Sequence, residues 1–373
     1  MARRVPSEGP TATRTGSRAL WRPVAGAALL AFLAGCAKDA PQDYLDPEGP
    51  IATEAHHMFS RIFWFAVIPV LVLVQGLLIA SIVRHRQRRG RADPLEPAGR
   101  VARLRWVVVP TLVLLFLDLF PLAGEAKTIF ELAREPKGDV LQVEVYGHMW
   151  WWEYIYPEQK ISSANELHIP TGRPVRLTLR TIEPGLPAPE GAEFAQGVIH
   201  SFWVPKLAGK QDVVPGRDNK LTIEADEPGT YKGQCAEYCN LSHANMRLRV
   251  IAQEPADFEA WVAEQKRPAA KPASGPAAEG YEIFTGKGGC MACHTVVGIE
   301  GANARVGPNL THLKSRETFA GAIFENTAAN LTEWVKDPGA MKPMRPDEGT
   351  GMPDRGLSDE EVDKVVAYLE TLK

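Results

Sequence analysis

The chain has 373 residues, 45% hydrophobic and 23% charged, with a formal net charge of −3. That length exceeds one ordinary domain, and so small a net charge excludes the basic balance that nucleic-acid binding calls for. Each of the five cysteines falls in a short motif, so no pair is left over for a structural disulfide.

Three apolar runs lie in the first third. Residues 24–35 follow an arginine-bearing, acid-poor leader and are too short to span a bilayer, so they read as the core of a signal peptide. The run ends in LAGC, where a lipoprotein signal is cut; residues 1–35 are expected to be removed and Cys36 lipidated. Residues 36–61 then form an outer segment. Residues 62–83 carry no charge, and at ~1.5 Å per residue they reach across a ~30 Å hydrocarbon core as a first transmembrane helix. Residues 106–124, with Pro110, Asp118 and Pro121 inside them, read as a second. The intervening residues 84–105 are rich in arginine, opposed only by Asp93 and Glu96, which makes this loop cytoplasmic and places everything after residue 124 outside.

Residues 125–265 change pattern. Runs such as VLQVEVYG, PVRLTLRTI, NKLTIEAD and MRLRVIAQ alternate apolar and polar residues between Pro and Gly punctuation, which predicts an antiparallel sandwich or barrel closed by a short helix in EPADFEAWVAEQ. Residues 266–280, rich in Pro and Ala, read as a linker. Residues 281–373 suffice for one small helical domain, whose last helix opens on Ser358 with Glu361 three residues on, a capping box.

Two motifs carry chemistry. In CAEYCNLSHANM, Cys235, Cys239, His243 and Met246 bring two thiolates, an imidazole and a thioether into one loop, a soft set suited to copper. Two cysteines four apart can bridge two copper ions, so that one electron is shared and less reorganisation accompanies its transfer. A further imidazole is needed, and His200, at the head of an adjacent strand, is the best placed. Zinc also takes Cys and His, but this spacing and the thioether depart from zinc sites. In CMACH, Cys290 and Cys293 would add to the vinyl groups of one c-type haem while His294 ligates its iron. A methionine commonly completes such a site, and Met341, Met344 and Met352 compete for that place.

The segments RWVVVP, GHMWWWEYIYP, HSFWVPKLAGKQDVVPGR and GTYKGQCAEYCNLSHANM resemble subunit II of the haem-copper cytochrome c oxidases. The resemblance implies a multidomain membrane protein: a two-helix transmembrane hairpin, a cupredoxin-like antiparallel β-barrel with dinuclear copper A, and here an all-α cytochrome c domain at the C-terminus. It implies His200, Cys235, Cys239, His243 and Met246 as copper ligands, with Glu237 giving its backbone carbonyl to copper and its carboxylate to a magnesium ion shared with the catalytic subunit. Trp150 matches the tryptophan through which electrons enter. GMPDRGLSDEEV resembles the end of class I cytochromes c, which favours Met352 as the second haem-iron ligand, and Gly307, Pro308, Asn309 and Leu310 match the loop that supports the proximal histidine.

The chain departs from the family pattern in three places. Asn240 stands where glycine usually follows the second cysteine, Arg103, Leu104 and Arg105 precede Trp106 where many members carry a glutamate, and residues 183–197 look like an insertion.

The expected function is electron relay in the bacterial plasma membrane. An external donor such as a soluble cytochrome c would feed haem and then copper on the outer face. Catalytic subunit I, assembled with the other oxidase subunits, would reduce oxygen to water. A nitric oxide reductase subunit and a membrane-tethered carrier without a catalytic partner are the alternatives.

Overall fold

The structure is a computed structural model, and it describes residues 42–87, 99–181 and 197–373. The signal peptide, Cys36, the middle of the basic loop and most of the 183–197 insertion lie outside the described residues.

Helix α1 (Pro50–Ile62) runs through a π-turn at Phe63–Val67 into α2 (Ile68–Gln87), and α3 (Arg100–Ala133) returns. Both helical stretches are long and apolar enough to cross a membrane, and their apolar side chains are largely uncovered. They overrun the expected spans. Pro50 at the first turn starts a helix twelve residues before the apolar run, and the charged but helix-favouring GEAKTIFELA carries α3 beyond residue 124, where the barrel was expected to begin. Arg61 joins the two stretches through paired hydrogen bonds to Glu125 at 2.5 and 2.7 Å.

The outer β domain comprises two five-stranded sheets. The first has the order β3-β2-β1-β5-β8, from β1 (Leu141–His148), β2 (Trp151–Tyr156), β3 (Ile161–Ala164), β5 (Val175–Thr181) and β8 (Asn219–Ile223). The second has the order β4-β10-β9-β6-β7, from β4 (Glu166–Pro170), β6 (His200–Trp203), β7 (Gln211–Val213), β9 (Gly229–Cys235) and β10 (Arg247–Gln253). Alternation dictates the facing: Val175, Leu177 and Leu179 of β5 and Leu248, Val250 and Ala252 of β10 are buried while the residues between them look outward. The inner faces meet around Trp152, Tyr154 and Phe202. This is the expected cupredoxin-like layout, although not every strand pair is antiparallel. β1 pairs with β5 and β4 with β10 in parallel, which the long connections between those strands permit.

Helix α4 (Pro255–Gln265) closes the β domain, and α5 (Pro276–Thr285) begins the last one. The expected linker of residues 266–280 is therefore shorter: its last residues are helical, led by Pro276, and Ala269 N–H donates to Val297 O at 2.8 Å. Helix α5 crosses the terminal helix α8 (Asp359–Leu369) where Gly280 lies against the Lys364 carbonyl, leaving no room for a Cβ. Helix α8 opens on the expected capping box, with both Ser358–Glu361 hydrogen bonds formed. Phe284, Val362, Val366 and Tyr368 fill the core of this helical domain, to which α6 (Ala328–Lys336) and the single turn α7 (Pro338–Met341) also belong.

His168 on β4 stacks on Trp261 with ring centroids 4.2 Å apart, and its Nδ1 lies 2.9 Å from Gln253 Oε1. Burial pushes its pKa from 6.5 down to about 4. The folded state thus resists a proton that the unfolded chain accepts, so this contribution to stability is present above pH 6.5 and is lost as pH falls towards about 4. The unfolding midpoint of the wild type should fall more steeply across that window than that of His168→Gln, measured by thermal denaturation. Parallel curves would contradict the assignment.

Candidate metal centre and adjoining cavity

The metal motif is assembled from the ends of two neighbouring strands. β9 ends on Cys235, and the adjacent β6 begins with His200, the register placing Phe202 opposite Cys235. The loop after β9 turns back through Asn240, whose φ of +80° is the left-handed conformation that asparagine tolerates better than most residues. It continues into a short 3₁₀ turn, His243–Asn245, followed by Met246.

The predicted ligands converge. Cys235 Sγ lies 3.7 Å from Cys239 Sγ, 3.8 Å from His200 Nδ1 and 3.2 Å from the Glu237 carbonyl oxygen. Cys239 Sγ lies 3.6 Å from His243 Nδ1 and 3.8 Å from Met246 Sδ. The sulfurs are too far apart for a disulfide, which needs ~2.05 Å. His200, Cys235 and Cys239 have ligand atoms within 4.8 Å of one another. Cys235, Cys239, Met246 and His200 are all buried.

The hydrogen bond between the two sulfurs draws the Cys235 thiol towards ionisation and pushes Cys239 the other way, and burial raises both. Two thiolates side by side in this setting call for cations, and soft ions suit the thiolate, imidazole and thioether donors. The residues present therefore fit the copper centre anticipated from the motif. Gly147 on β1 makes room for it, since a Cβ there would approach His200 Cδ2 to 2.8 Å. The magnesium expectation at Glu237 gains nothing here: the carboxylate accepts from Tyr238 N–H at 3.2 Å, and among the described residues no other His, Cys or acidic cluster gathers there.

Beside this centre lies a cavity shared by the β domain and the helical domain. Cys290, Cys293, His294, Met344 and Met352 line it from one side, and His148, Trp150 and Trp151 from the other. His294 Nδ1 donates to the Pro308 carbonyl at 2.8 Å, which leaves Nε2 as the metal-binding nitrogen. Burial lowers the His294 pKa and so favours the neutral ring. Cys290 and Cys293 are free thiols. A covalent haem fits this set of residues. Of the three competing methionines, Met344 and Met352 line the cavity and Met341 is not among its lining residues.

Trp150, expected as the point where electrons enter, is 3% exposed, and its Nε1–H donates to the Cys239 carbonyl at 2.7 Å. It therefore touches the metal loop while its residue walls the cavity. Trp151 stacks on His148 at 4.1 Å, and Trp152 sits in the barrel core. Each member of the WWW run has a separate task.

Comparison with known proteins agrees with this division. The family model for the periplasmic domain of cytochrome c oxidase subunit II matches residues 141–253, and that for cytochrome c matches residues 277–373. The chain is 32% identical over 354 residues to cytochrome c oxidase subunit 2 of Alkalihalophilus pseudofirmus, covering 92% of this chain and 95% of that protein. It belongs to the cytochrome c oxidase subunit II family. A second subunit 2, from Bacillus subtilis, is 30% identical over 371 residues, covering 95% of this chain and 98% of that protein. A quinol oxidase subunit 2 of Bacillus cereus is 28% identical over 250 residues, 65% of this chain and 79% of that protein.

Nothing in the sequence marks how this subunit II seats its cytochrome c domain. Glu153 falls within a quoted motif, yet its paired hydrogen bonds from Arg305, 152 positions away, are invisible without the fold. Gly147→Ala removes no ligand, but it should displace the His200 ring and lower copper occupancy. Metal analysis with copper absorption spectra on the folded variant checks this, and full occupancy with unchanged spectra would contradict it.

Proposed function

We propose that the chain relays electrons, one at a time, from an external donor such as a soluble cytochrome c to the catalytic subunit of a haem-copper oxidase, where oxygen is reduced to water. The observation that carries this reading is the shared wall: Trp150 lines the haem cavity and hydrogen-bonds the loop that holds the copper ligands. When bound, a covalent haem and a dinuclear copper centre supply the reversible one-electron chemistry.

The residues do the rest. Cys290 and Cys293 would hold the haem covalently, and His294 and Met352 would ligate its iron. Support for Met352 over Met344 comes from packing, because Met344 contacts the β-domain core. Cys235, Cys239, His200, His243, Met246 and the Glu237 carbonyl would hold the copper, and the burial of the two cysteines, His200 and Met246 keeps water away. Trp150 is the step between the two centres. The convergence of all these copper donors favours a cytochrome-linked over a quinol-linked role. The two long apolar helices anchor the subunit in the bacterial plasma membrane beside subunit I and the other oxidase subunits, with both centres on the periplasmic or extracellular side. Removal of residues 1–35 and lipidation of Cys36 would add a second anchor.

Two outcomes test this. In the assembled oxidase, Cys235→Ser should leave the haem reducible by the donor yet abolish oxygen consumption, because electrons stall at the haem. Oxygen consumption at the wild-type rate would sink the relay. Met352→Ala should lose the far-red absorption band of methionine-ligated ferric haem while Met344→Ala keeps it; the reverse pattern would move the axial role to Met344.

A further inference from the structure

The two outer domains are joined by buried polar groups whose partners lie across the boundary. Lys342 is 2% exposed, and its Nζ donates to Ala320 O of its own domain at 2.9 Å and to Trp150 O of the β domain at 2.7 Å. Glu166 on β4 is 1% exposed and reaches the other way, accepting from Thr318 N–H at 2.8 Å, Thr318 Oγ1 at 2.7 Å and Glu317 N–H at 3.2 Å. Arg305 of the helical domain makes two parallel hydrogen bonds, at 3.0 and 2.9 Å, to Glu153, which is itself 5% exposed. Glu153 Oε2 also lies 3.2 Å from His148 Nε2, and that imidazole stacks on Trp151. Backbone contacts fill the gaps, with Arg247 N–H donating to Gly321 O at 2.9 Å and Ser242 Oγ to Pro343 O at 2.5 Å.

We propose that Lys342, Glu166 and Arg305 are positioning residues that hold the haem-binding domain in one fixed seat on the copper-binding domain, so that haem-to-copper transfer occurs between parts already in contact. The proposal rests on the relay reading above. The burial of hydrogen-bonded polar groups carries it. A loose encounter surface keeps its polar groups wet, whereas an amine and a carboxyl group withdrawn from water must find their hydrogen bonds in the protein. Here each finds them across the domain boundary, so separation of the domains would expose a matched set on both faces.

The seat is centred on Trp150. Lys342 holds its carbonyl, and its indole N–H holds the carbonyl of the copper ligand Cys239. Two hydrogen bonds thus connect the helical domain to the metal loop through a single residue. Because Trp150 is covered, an external donor has no direct access to it, and its electrons must pass through the haem.

The test uses the full chain in the assembled oxidase, with a photoreductant to inject one electron into the haem and absorption to follow its arrival at copper. The wild-type rate should be independent of solvent viscosity. Glu166→Leu combined with Lys342→Leu should slow transfer about tenfold or more and make it viscosity-dependent, with haem absorption and copper resonance unchanged. Glu166→Gln keeps an oxygen to accept from Thr318 and should restore the wild-type rate. A wild-type rate that falls in proportion to viscosity would overturn the fixed seat, as would a double variant that transfers at wild-type speed with both centres intact; the relay would survive either result. A wild-type chain without the copper signal or the attached haem would overturn the relay, and the seat with it.

Discussion

Two buried cysteine sulfurs held 3.7 Å apart set the main constraint on this protein. Thiolates that close together in a dry setting repel each other, and the opposed shifts of Cys235 and Cys239 express that conflict. Cations between them remove it. Everything around the pair serves to keep the sulfurs there: the end of β9, the left-handed turn at Asn240, and the β6 edge that delivers His200 past the side-chain-free Gly147. A β-sandwich suits this work, since two packed sheets fix strand ends more firmly than a loop could fix itself.

The second consequence is adjacency. A metal loop at the rim of a sandwich has one side open, and in this chain the helical domain covers it. The cavity behind CMACH therefore borrows a wall from the β domain, and Trp150 belongs to both sites. The two helical stretches are tied to each other by Arg61 and Glu125, and the segment leading into α1 is tied to the β domain by Glu48, whose N–H donates to Lys206 O and whose carbonyl accepts from Asp226 N–H. The architecture is thus a chain of contacts from the apolar helices, through the β domain, to the cavity behind CMACH.

Much of this was legible in the sequence because the chemistry is local. CAEYCNLSHANM places four candidate ligands within twelve residues, and CMACH three within five, so spacing points to the chemistry. His200 is marked by its strand position, and Asn240 by standing where the family usually has glycine. Less legible were features set by distant contacts. Hydropathy marks where a helix is apolar and not where it stops, so the spans of residues 62–83 and 106–124 understate helices that continue into charged sequence. The parallel β1–β5 and β4–β10 pairs depend on topology rather than alternation. Lys342 and Glu166 look like ordinary surface charges until the fold buries them, and Arg305, which stays exposed, until it meets the buried Glu153.

The central claim is that one loop holds two copper ions sharing an electron. Electron paramagnetic resonance with metal analysis on the outer portion, residues 125–373, carrying haem and reconstituted with copper, tests it most directly. The account predicts two coppers per chain and hyperfine structure from one electron spread over both nuclei. One localised copper, or zinc in its place, would contradict it.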